Sequence, residues 1–473
     1  MNASHRRGAC PGLSAPMPTG DGLLVRLMPT EPIPLDAFTA FCAAARQHGN
    51  GTIEVSARGS LQVRGLTPRS APLFATAVAD LEIAAREGVS VMAGPLDSTG
   101  ARLGTDSAPY GSPPPCGEGS GVGVGKCGTA MPHLATPHPG PPPQGGREAL
   151  EALLIDTVEV AAGLRQALDG AQLALSPKIS IVVDGSGRLH LDAVPADVRL
   201  RASEPDQPSQ FHVGLGGDAT SATWLGSIAP SDAADVVQSL LAVIVAHGPA
   251  ARATDILRTD GTGPFRLAVE PCLAASSTPP QRAPAEMIGL HPAPDGTSAV
   301  GIGLTFGHAH ADALAEITRI AAARGARAVR PAPDRALLLI GVAAPDAADL
   351  QAAAEQLGFV TRADDPRCRI VACPGAPACA SGLIPARALA ATLAPTLGPH
   401  IASTRGVSVH ISGCPKGCAH PRPLALTLVG TERGCGIVRD GTARATPDSY
   451  IDPANLAAEI SRIAADTCEA AHG

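Results

Sequence analysis

The amino-acid sequence repeats itself, and this repeat limits the possible fold more than any other feature. Residues 36–66 can be placed on residues 312–342 without a gap, and Gly49 then falls on Gly325. Each copy predicts a helix, an extended stretch and a strand, with a further strand ahead of the helix; half of a ferredoxin-like fold is built in this way. The glycine after each helix predicts a left-handed C-cap. The predicted helices are 35–47 and 311–324, and the predicted strands are 22–28, 299–306, 60–66 and 336–342.

A second, fainter repeat alternates with the first. Residues 178–185 match residues 406–413, each after an amphipathic helix and before another strand. The sequence therefore predicts an α+β fold of order A–B–A′–B′, in which two ferredoxin-like half-modules pair with each other and alternate with two larger α+β modules. Duplicated halves usually meet about a pseudo-two-fold axis, and their interface is a natural place for a ligand pocket. The predicted modules are the first half-module 1–106, the first larger module 149–271, the second half-module 272–345 and the second larger module 346–473.

The segment 107–148 is predicted to be a disordered insertion between the first two modules. Half of the positions in 107–146 are Gly or Pro, so the segment offers almost no apolar surface to offset its ordering entropy. It holds Cys116 and Cys127, which we interpret as bystander thiols.

The charge balance and the apolar pattern exclude several functions. The 36 Lys and Arg residues against 43 Asp and Glu give the 473-residue chain a net charge of −7. There is no basic stripe, so no nucleic acid partner is predicted. No apolar run approaches the roughly 20 residues of a membrane-spanning helix, so no membrane partner is predicted. The start of the sequence is polar and basic without an apolar stretch, which predicts a cytoplasmic protein.

Four of the twelve cysteines are grouped and give the strongest chemical signal. Cys373 and Cys379 form a C-x5-C loop, and Cys414 and Cys418 form a C-x3-C loop. Four thiolates from two tight loops can enclose one metal centre, and soft thiolate ligands select zinc or iron–sulfur clusters. Zinc knuckles usually have two to four residues between their cysteines, so the wider C-x5-C loop favours a [4Fe–4S] cluster. Zinc and unligated thiols are the alternatives. A cluster implies electron transfer.

This motif, in the last module of a duplicated chain, resembles the sulfite/nitrite reductase superfamily. In that superfamily the four cysteines hold a [4Fe–4S] cluster, and the last one also bridges to sirohaem iron. Within it, three parts of the sequence resemble the precorrin-3B synthase branch, most specifically the loop 412–421 with Ala-His-Pro after the last cysteine. The other two parts are 6–13 and 300–306 followed by 335–339.

The resemblance implies an O2-dependent monooxygenase of aerobic cobalamin (vitamin B12) biosynthesis. Such an enzyme converts precorrin-3A to precorrin-3B by hydroxylation at C20 and closure of a γ-lactone, with O2 and a reductant. The implied cofactors are the [4Fe–4S] cluster and a mononuclear non-haem iron. No dinucleotide fingerprint is present, so the electron donor is predicted to be a separate NADH-linked reductase or ferredoxin-like carrier. The alternatives are a sirohaem-dependent sulfite or nitrite reductase and a metal-stabilised structural or binding protein.

The resemblance also implies site residues. Arg58, Arg64 and Lys178 match the basic positions of the reductases and are predicted to bind the substrate carboxylates, for which Arg and Lys are suited. Two departures weaken the reductase alternative: Ser180 replaces a second Lys, and no Arg-Asn pair is present in 89–96.

Histidines beside the C-x3-C loop are candidates for the mononuclear iron. His410 and His420 flank this loop, and neutral imidazole suits Fe(II). No short H-x-D/E motif completes a ligand set. His308 and His310 are predicted to have capping or surface roles at the start of the second repeated helix.

Overall fold

The computed structural model describes residues 11–96, 155–171, 173–185, 187–204, 209–293, 295–401, 407–452 and 455, and the predicted insertion 107–148 lies outside them. Within these ranges the chain forms four β-sheets and nine α-helices. The helices are α1 (Leu35–His48), α2 (Ser70–Ala79), α3 (Thr157–Ala171), α4 (Ala233–Ala246), α5 (Ala253–Thr259), α6 (Gly263–Val269), α7 (Ala311–Ala322), α8 (Ala347–Gln356) and α9 (Ala386–Ile401). No helix within these ranges has the length and apolar character needed to cross a membrane.

Two of the sheets belong to the ferredoxin-like half-modules, and each borrows a strand from the other half. The first has the order β1-β2-β5-β4-β14, with β6 paired to β2, and the second has the order β12-β13-β16-β15-β3. Their strands are β1 (Met17–Thr19), β2 (Gly22–Pro29), β3 (Ile33–Pro34), β4 (Thr52–Val55), β5 (Leu61–Leu66), β6 (Ala85–Arg86), β12 (Gly289–Pro292), β13 (Thr297–Gly303), β14 (His308–His310), β15 (Ala328–Ala332) and β16 (Ala336–Ala343).

The exchange of β3 and β14 joins the two half-modules into one unit. Helices α1 and α7 bury their apolar faces in a single core shared by both halves, with Phe38 and Phe41 from α1 and Leu314 and Ile317 from α7. Apolar residues spaced three and four positions apart line one face of each helix, which explains why both are helical and why they pack together. The predicted pairing of the half-modules is confirmed.

The other two sheets share one topology. In each, the first three strands are parallel and the last two are antiparallel. Along the chain, helix α3 comes between the first and second strands of one sheet, and α9 comes between the first and second strands of the other. The strands, in order across each sheet, are β7 (Ser90–Ala93), β8 (Ser180–Asp184), β9 (Val198–Ala202), β10 (Phe211–Leu215) and β11 (Thr223–Ile228), and then β17 (Ile370–Ala372), β18 (Val409–Ser412), β19 (Leu424–Thr431), β20 (Gly434–Gly441) and β21 (Ser449–Ile451).

Strand register follows the sequence repeats. Val182 of β8 pairs with Arg199 of β9, and His410 of β18 pairs with Thr427 of β19. Each residue of the second pair lies 228 positions after its equivalent in the first pair. The hairpins β4–β5 and β15–β16 likewise share one register at a spacing of 276. The duplicated α+β architecture is therefore confirmed, whereas the module boundaries stay predictions.

One predicted helix end is wrong. Gly49 after α1 has φ −112°, which is extended rather than left-handed backbone. A Cβ at this position would lie 2.5 Å from the carbonyl oxygen of Arg64, so glycine is needed for close approach to β5 and not for a left-handed cap. Its counterpart Gly325 does have the predicted positive φ, at +82°.

Candidate metal and substrate site

The two cysteine loops start at neighbouring strand ends. Cys373 follows β17 directly, and Cys414 lies two residues past β18. These strands are parallel, so their carboxyl ends lie at the same edge of the sheet. The backbone N–H of Gly413 donates to the sulfur of Cys373 at 3.0 Å, which joins the two loops. None of the four cysteines forms a disulfide.

The distances between the four sulfur atoms can be compared with those in a tetrahedral zinc site. Burial raises the pKa of Cys418, and the neighbouring thiols of Cys414, Cys373 and Cys379 raise it further, so the four sulfur atoms lie within electrostatic range of one another. All four side chains are described, and no three of their sulfurs lie within 4.8 Å of one another. Tetrahedral Zn–S bonds of about 2.3 Å hold sulfurs roughly 3.8 Å apart. The four thiols therefore do not form a closed tetrahedral zinc site as they are placed.

Glycines allow the close approach of the loops. A Cβ on Gly413 would lie 2.7 Å from the Cα of Gly375 and 3.4 Å from the sulfur of Cys373. Gly375 lies in turn against the backbone N of Ala386, at the start of α9. Any side chain at position 413 would push apart the two loops that carry the thiols.

Arg64 is buried and bonded to protein groups. Its guanidinium donates to both carboxylate oxygens of Asp21, at 3.0 and 2.9 Å, and lies 3.6 Å from Glu54. It also donates to the carbonyl oxygen of Ala378 in the C-x5-C loop. Burial would raise the pKa of Asp21, but the hydrogen bonds from Arg64 and Thr19 outweigh it and hold that pKa below its ordinary value. This geometry favours a role in positioning the cysteine loop over the predicted contact with substrate.

Arg58 and Lys178 are exposed. Arg58 lies in the turn between β4 and β5, pairs through its backbone with Pro333 and donates to the carbonyl oxygen of Pro195 at 3.3 Å. It thus stands where the first half-module meets both the second half-module and the first larger module. Lys178 lies two residues before β8. Their predicted contacts with substrate stay a prediction.

His410 and His420 lie together beside the C-x3-C loop. The side chain of His410 is fully buried on β18, and neither ring nitrogen has a hydrogen-bond partner within the described part of the chain. The two rings meet edge to face with centroids 6.1 Å apart. Burial, and then the charges of His420 and Arg335, lower the pKa of His410 to about 4. Burial, Arg422 and Arg335 also lower the pKa of His420, so both imidazoles are neutral at pH 7.

The other predicted histidines differ from each other. His310 accepts a hydrogen bond from the backbone N–H of Asp312 and caps α7, as predicted. The surface or capping role predicted for His308 is wrong, because its Nδ1 is buried and has no partner among the described residues. The cause is the strand exchange, which places β14 against β4 of the other half-module.

One further cluster could hold a metal ion. Asp184, His190 and Asp192 bring one ligand atom each within 4.8 Å of the others, and no other such group of three exists among the described residues. The guanidinium of Arg282 bonds to both of these carboxylates, with Nε 2.9 Å and Nη2 2.6 Å from Asp192 and a close contact to Asp184. A metal ion would have to displace this internal cation.

The sequence as a whole identifies the family. No family model matches the chain. The chain is 34% identical over 464 residues to a protein of Sinorhizobium sp named precorrin-3B synthase, and the match covers 98% of this chain and 89% of that protein. The chain belongs to the precorrin-3B synthase family. It is thereby grouped with oxidoreductase-type enzymes of cobalamin biosynthesis.

A solved structure gives the fold of this precorrin-3B synthase family member. The NirA protein of Mycobacterium tuberculosis superposes with a TM-score of 0.66 and 16% identity, covering 93% of this chain and 80% of that one. The fold is that of the sulfite/nitrite reductase superfamily, as the cysteine motif and the repeats predict.

The mononuclear iron implied for precorrin-3B synthases does not fit His410 and His420. A non-haem iron site of this type takes two histidines and a carboxylate. No carboxylate joins this pair within the described residues. The guanidinium charge of Arg335, which lowers both histidine pKa values, also opposes a metal cation.

Proposed function

We propose that the chain is an O2-dependent monooxygenase that converts precorrin-3A to precorrin-3B by hydroxylation at C20 and γ-lactone formation. The observation that carries this proposal is the 34% identity, over nearly the whole chain, to a protein named precorrin-3B synthase. The site supports it with four free cysteines on two joined loops, and with exposed cations suited to a polycarboxylate. The reaction inserts one oxygen atom of O2 and reduces the other to water, using two electrons from the reductant.

We propose that Cys373, Cys379, Cys414 and Cys418 hold a [4Fe–4S] cluster. When bound, this group supplies one-electron transfer. The chain's own contribution is to hold the thiols at the required spacing and to direct the Gly413 N–H at the Cys373 sulfur, since hydrogen bonds to ligand sulfurs tune reduction potential. Arg64 fixes the C-x5-C loop against the first sheet.

We assign substrate binding to Arg58 and Lys178 and electron entry to a groove beside the C-x3-C loop. The groove has a volume of about 450 Å³ and is lined by Cys414, Lys416 and Arg444, together with Ala380, Ser381, Leu383 and Pro415. An exposed leucine and two cations in one groove fit an acidic carrier protein. Electrons from such a carrier would enter next to a proposed cluster ligand.

The test is anaerobic purification followed by assays for iron, sulfide and pigment, and then incubation with precorrin-3A, a reductant and ¹⁸O2. We expect iron and sulfide in equal amounts, no sirohaem absorption, and a product that carries one ¹⁸O atom only when the reductant is present. Full occupancy by sirohaem would assign the chain to the reductases instead. One zinc with negligible iron would make it a metal-stabilised binding protein.

A further inference from the structure

Arg335 has a backbone conformation that its counterpart achieves with glycine. The turn 332–336 between β15 and β16 corresponds to the turn 56–60 between β4 and β5, so Arg335 corresponds to Gly59. Both residues are left-handed, with φ +62° for Arg335 and φ +76° for Gly59. A left-handed non-glycine residue costs about 1 kcal/mol or more and commonly marks a functional site. The second half-module retains an arginine where the first shows that glycine suffices.

The side chain of Arg335 has a defined place, and its guanidinium has no hydrogen-bond partner among the described residues. A Cβ on Gly307 would lie 2.7 Å from its Cδ, so the arginine stem lies directly over this glycine. Its charged neighbours are Asp334 and Arg387. In the part of the chain that the structure describes, its guanidinium forms no ion pair or hydrogen bond, not even with Asp334 beside it. Asp334 is close enough to act on the guanidinium electrostatically but does not form a direct ion pair with it, so the donor N–H groups of Arg335 are not engaged by this neighbour.

His410 also departs from its counterpart. The position equivalent to His410 in the first larger module is Val182, which lies in an apolar cluster with Leu191 and Val194. The sheet therefore does not require a histidine here. Two buried ring nitrogens without partners cost free energy that a ligand or water recovers.

We propose that Arg335, His410 and His420 form a binding pocket for a carboxylate of the substrate, at the place where the sequence predicts iron. The guanidinium offers two parallel N–H donors to a carboxylate, and each imidazole ring offers at least one more. The stem of Arg335 lies over Gly307, and the neighbouring Phe306 packs in one apolar core with Val409 and Ile411. These two residues flank His410 on β18, and the ring of His420 lies against that of His410, so the arginine and both histidines belong to one region of the fold.

The turn that carries Arg335 is paired with the turn that carries Arg58. The two turns pair across the pseudo-two-fold axis: Arg58 bridges to Pro333, and the backbone N–H of Asp334 donates to the carbonyl oxygen of Ala57 at 3.3 Å. A tetrapyrrole bears several carboxylates on its rim, so two arginines on paired turns suit a single ligand. The inference rests on the proposed function, whose substrate supplies the carboxylates.

The duplication provides variants that keep the fold. Arg335→Gly and His410→Val each introduce the residue found at the equivalent position of the other half, and Arg266→Ala, at an exposed position on α6, is the control. For the full chain with its cluster, we would measure KM and kcat for precorrin-3A, binding of uroporphyrin as a polycarboxylate tetrapyrrole, iron per chain, and melting temperature.

We expect Arg335→Gly to raise the KM about tenfold or more, with kcat within about twofold and the melting temperature equal or higher. His410→Val should weaken binding by roughly threefold or more while iron per chain is unchanged. Unchanged KM and uroporphyrin binding in Arg335→Gly would overturn the inference, and so would loss of one iron per chain in His410→Val. If the wild type binds uroporphyrin but does not oxidise precorrin-3A, the proposed function fails, and the uroporphyrin affinities of the variants still decide the pocket.

Discussion

At the scale of single residues, the arrangement of the four thiols depends on neighbouring residues that are not part of the cysteine motif. The spacing of Cys373, Cys379, Cys414 and Cys418 is visible in the sequence. Their separation depends on Gly413, where a Cβ would collide with the opposite loop. The cysteine pattern thus predicts which residues come together, and the glycine sets how closely they do so.

Replacing Cys414 or Cys418 by Ser should remove the cluster and destabilise the second larger module. A serine is a poor ligand for iron, and the free energy of metal binding is partly free energy of folding. We expect iron and sulfide per chain to fall to a small fraction of the wild-type values, together with the brown absorption. Cys272→Ser, at a half-buried cysteine outside both loops, is the control and should keep its iron. Unchanged iron in both loop variants would contradict the ligand assignment.

We expect His308 to make the stability of the fold depend on pH. Burial and the charge of Arg387 lower its pKa to about 4, although Glu54 acts in the opposite direction. The unfolded chain binds a proton at this residue below about pH 6.5, whereas the folded chain does so only below about pH 4, so stability is lost as pH falls between these values. The loss at pH 5, relative to neutral pH, is about 2 kcal/mol.

His308→Gln should therefore reduce the loss of stability on acidification. We expect the melting temperature of the wild type to fall between pH 7.5 and pH 5.0 by roughly 2 °C more than that of the variant. His310→Gln is the matched control, because His310 lies on the same strand with an exposed side chain. Equal falls in the wild type and in His308→Gln would show that His308 is not a source of this pH dependence.

Residue roles were predicted less well than residue positions. The sequence shows that Arg64 matches a basic position of the reductases, but its partner Asp21 lies 43 residues earlier, before β2. Only the folded chain shows that the cation is already paired. Arg335 and His410 were open to detection, because the aligned repeats place them opposite Gly59 and Val182. A charged or polar residue opposite a glycine or valine in an internal repeat is the signal to search for.

At the scale of secondary-structure elements, the repeats predict the main strands and helices but not the exchange of strands. Alternation of apolar and polar residues over five or more positions indicates a strand and shows which of its faces is buried. Strands β3 and β14 have two and three residues, too few for any periodic signal. Their partners lie in the other half-module, so no local pattern could have predicted the pairing that joins the halves.

Two Gly→Ala substitutions should have opposite effects on stability. Gly59 has φ +76°, and a Cβ there would lie 2.9 Å from the backbone carbon of Ala332 in the paired turn. We expect Gly59→Ala to destabilise the chain by about 1–3 kcal/mol. Gly163 lies inside α3, where a Cβ would meet no neighbouring atom within 4 Å, so Gly163→Ala should stabilise by roughly 0.5–1 kcal/mol. Thermal unfolding of both variants beside the wild type tests this, and a stabilised Gly59→Ala would contradict the close pairing of the turns.

At the scale of the whole molecule, a buried chain of charges connects the first sheet to the cysteine module. Asp21 pairs with Arg64, Arg64 lies near Glu54, and Glu54 accepts a hydrogen bond from Arg387 of α9 at 2.7 Å. Buried ion pairs contribute little net stability, but leaving one partner uncompensated is costly. The chain of charges therefore fixes the position of the cysteine module relative to the half-modules. Arg422, after the C-x3-C loop, pairs with Asp218 of the first larger module at 3.2 Å and adds a second connection.

The groove beside the cysteine loops predicts how charge reversal should affect electron delivery. Arg444 is exposed there, and opposite charges across an interface mainly raise the association rate. We expect Arg444→Glu to slow reduction by an acidic ferredoxin by roughly tenfold at low salt, and by less as the salt concentration rises. Iron per chain and the rate of reduction by dithionite, a small reductant that needs no docking surface, should both be unchanged. Arg188→Glu, an exposed arginine of the first larger module, is the matched control and should behave as the wild type. An equal loss of rate in both variants would mean that net charge, and not this groove, governs the encounter, and it would contradict the assignment of electron entry to the groove.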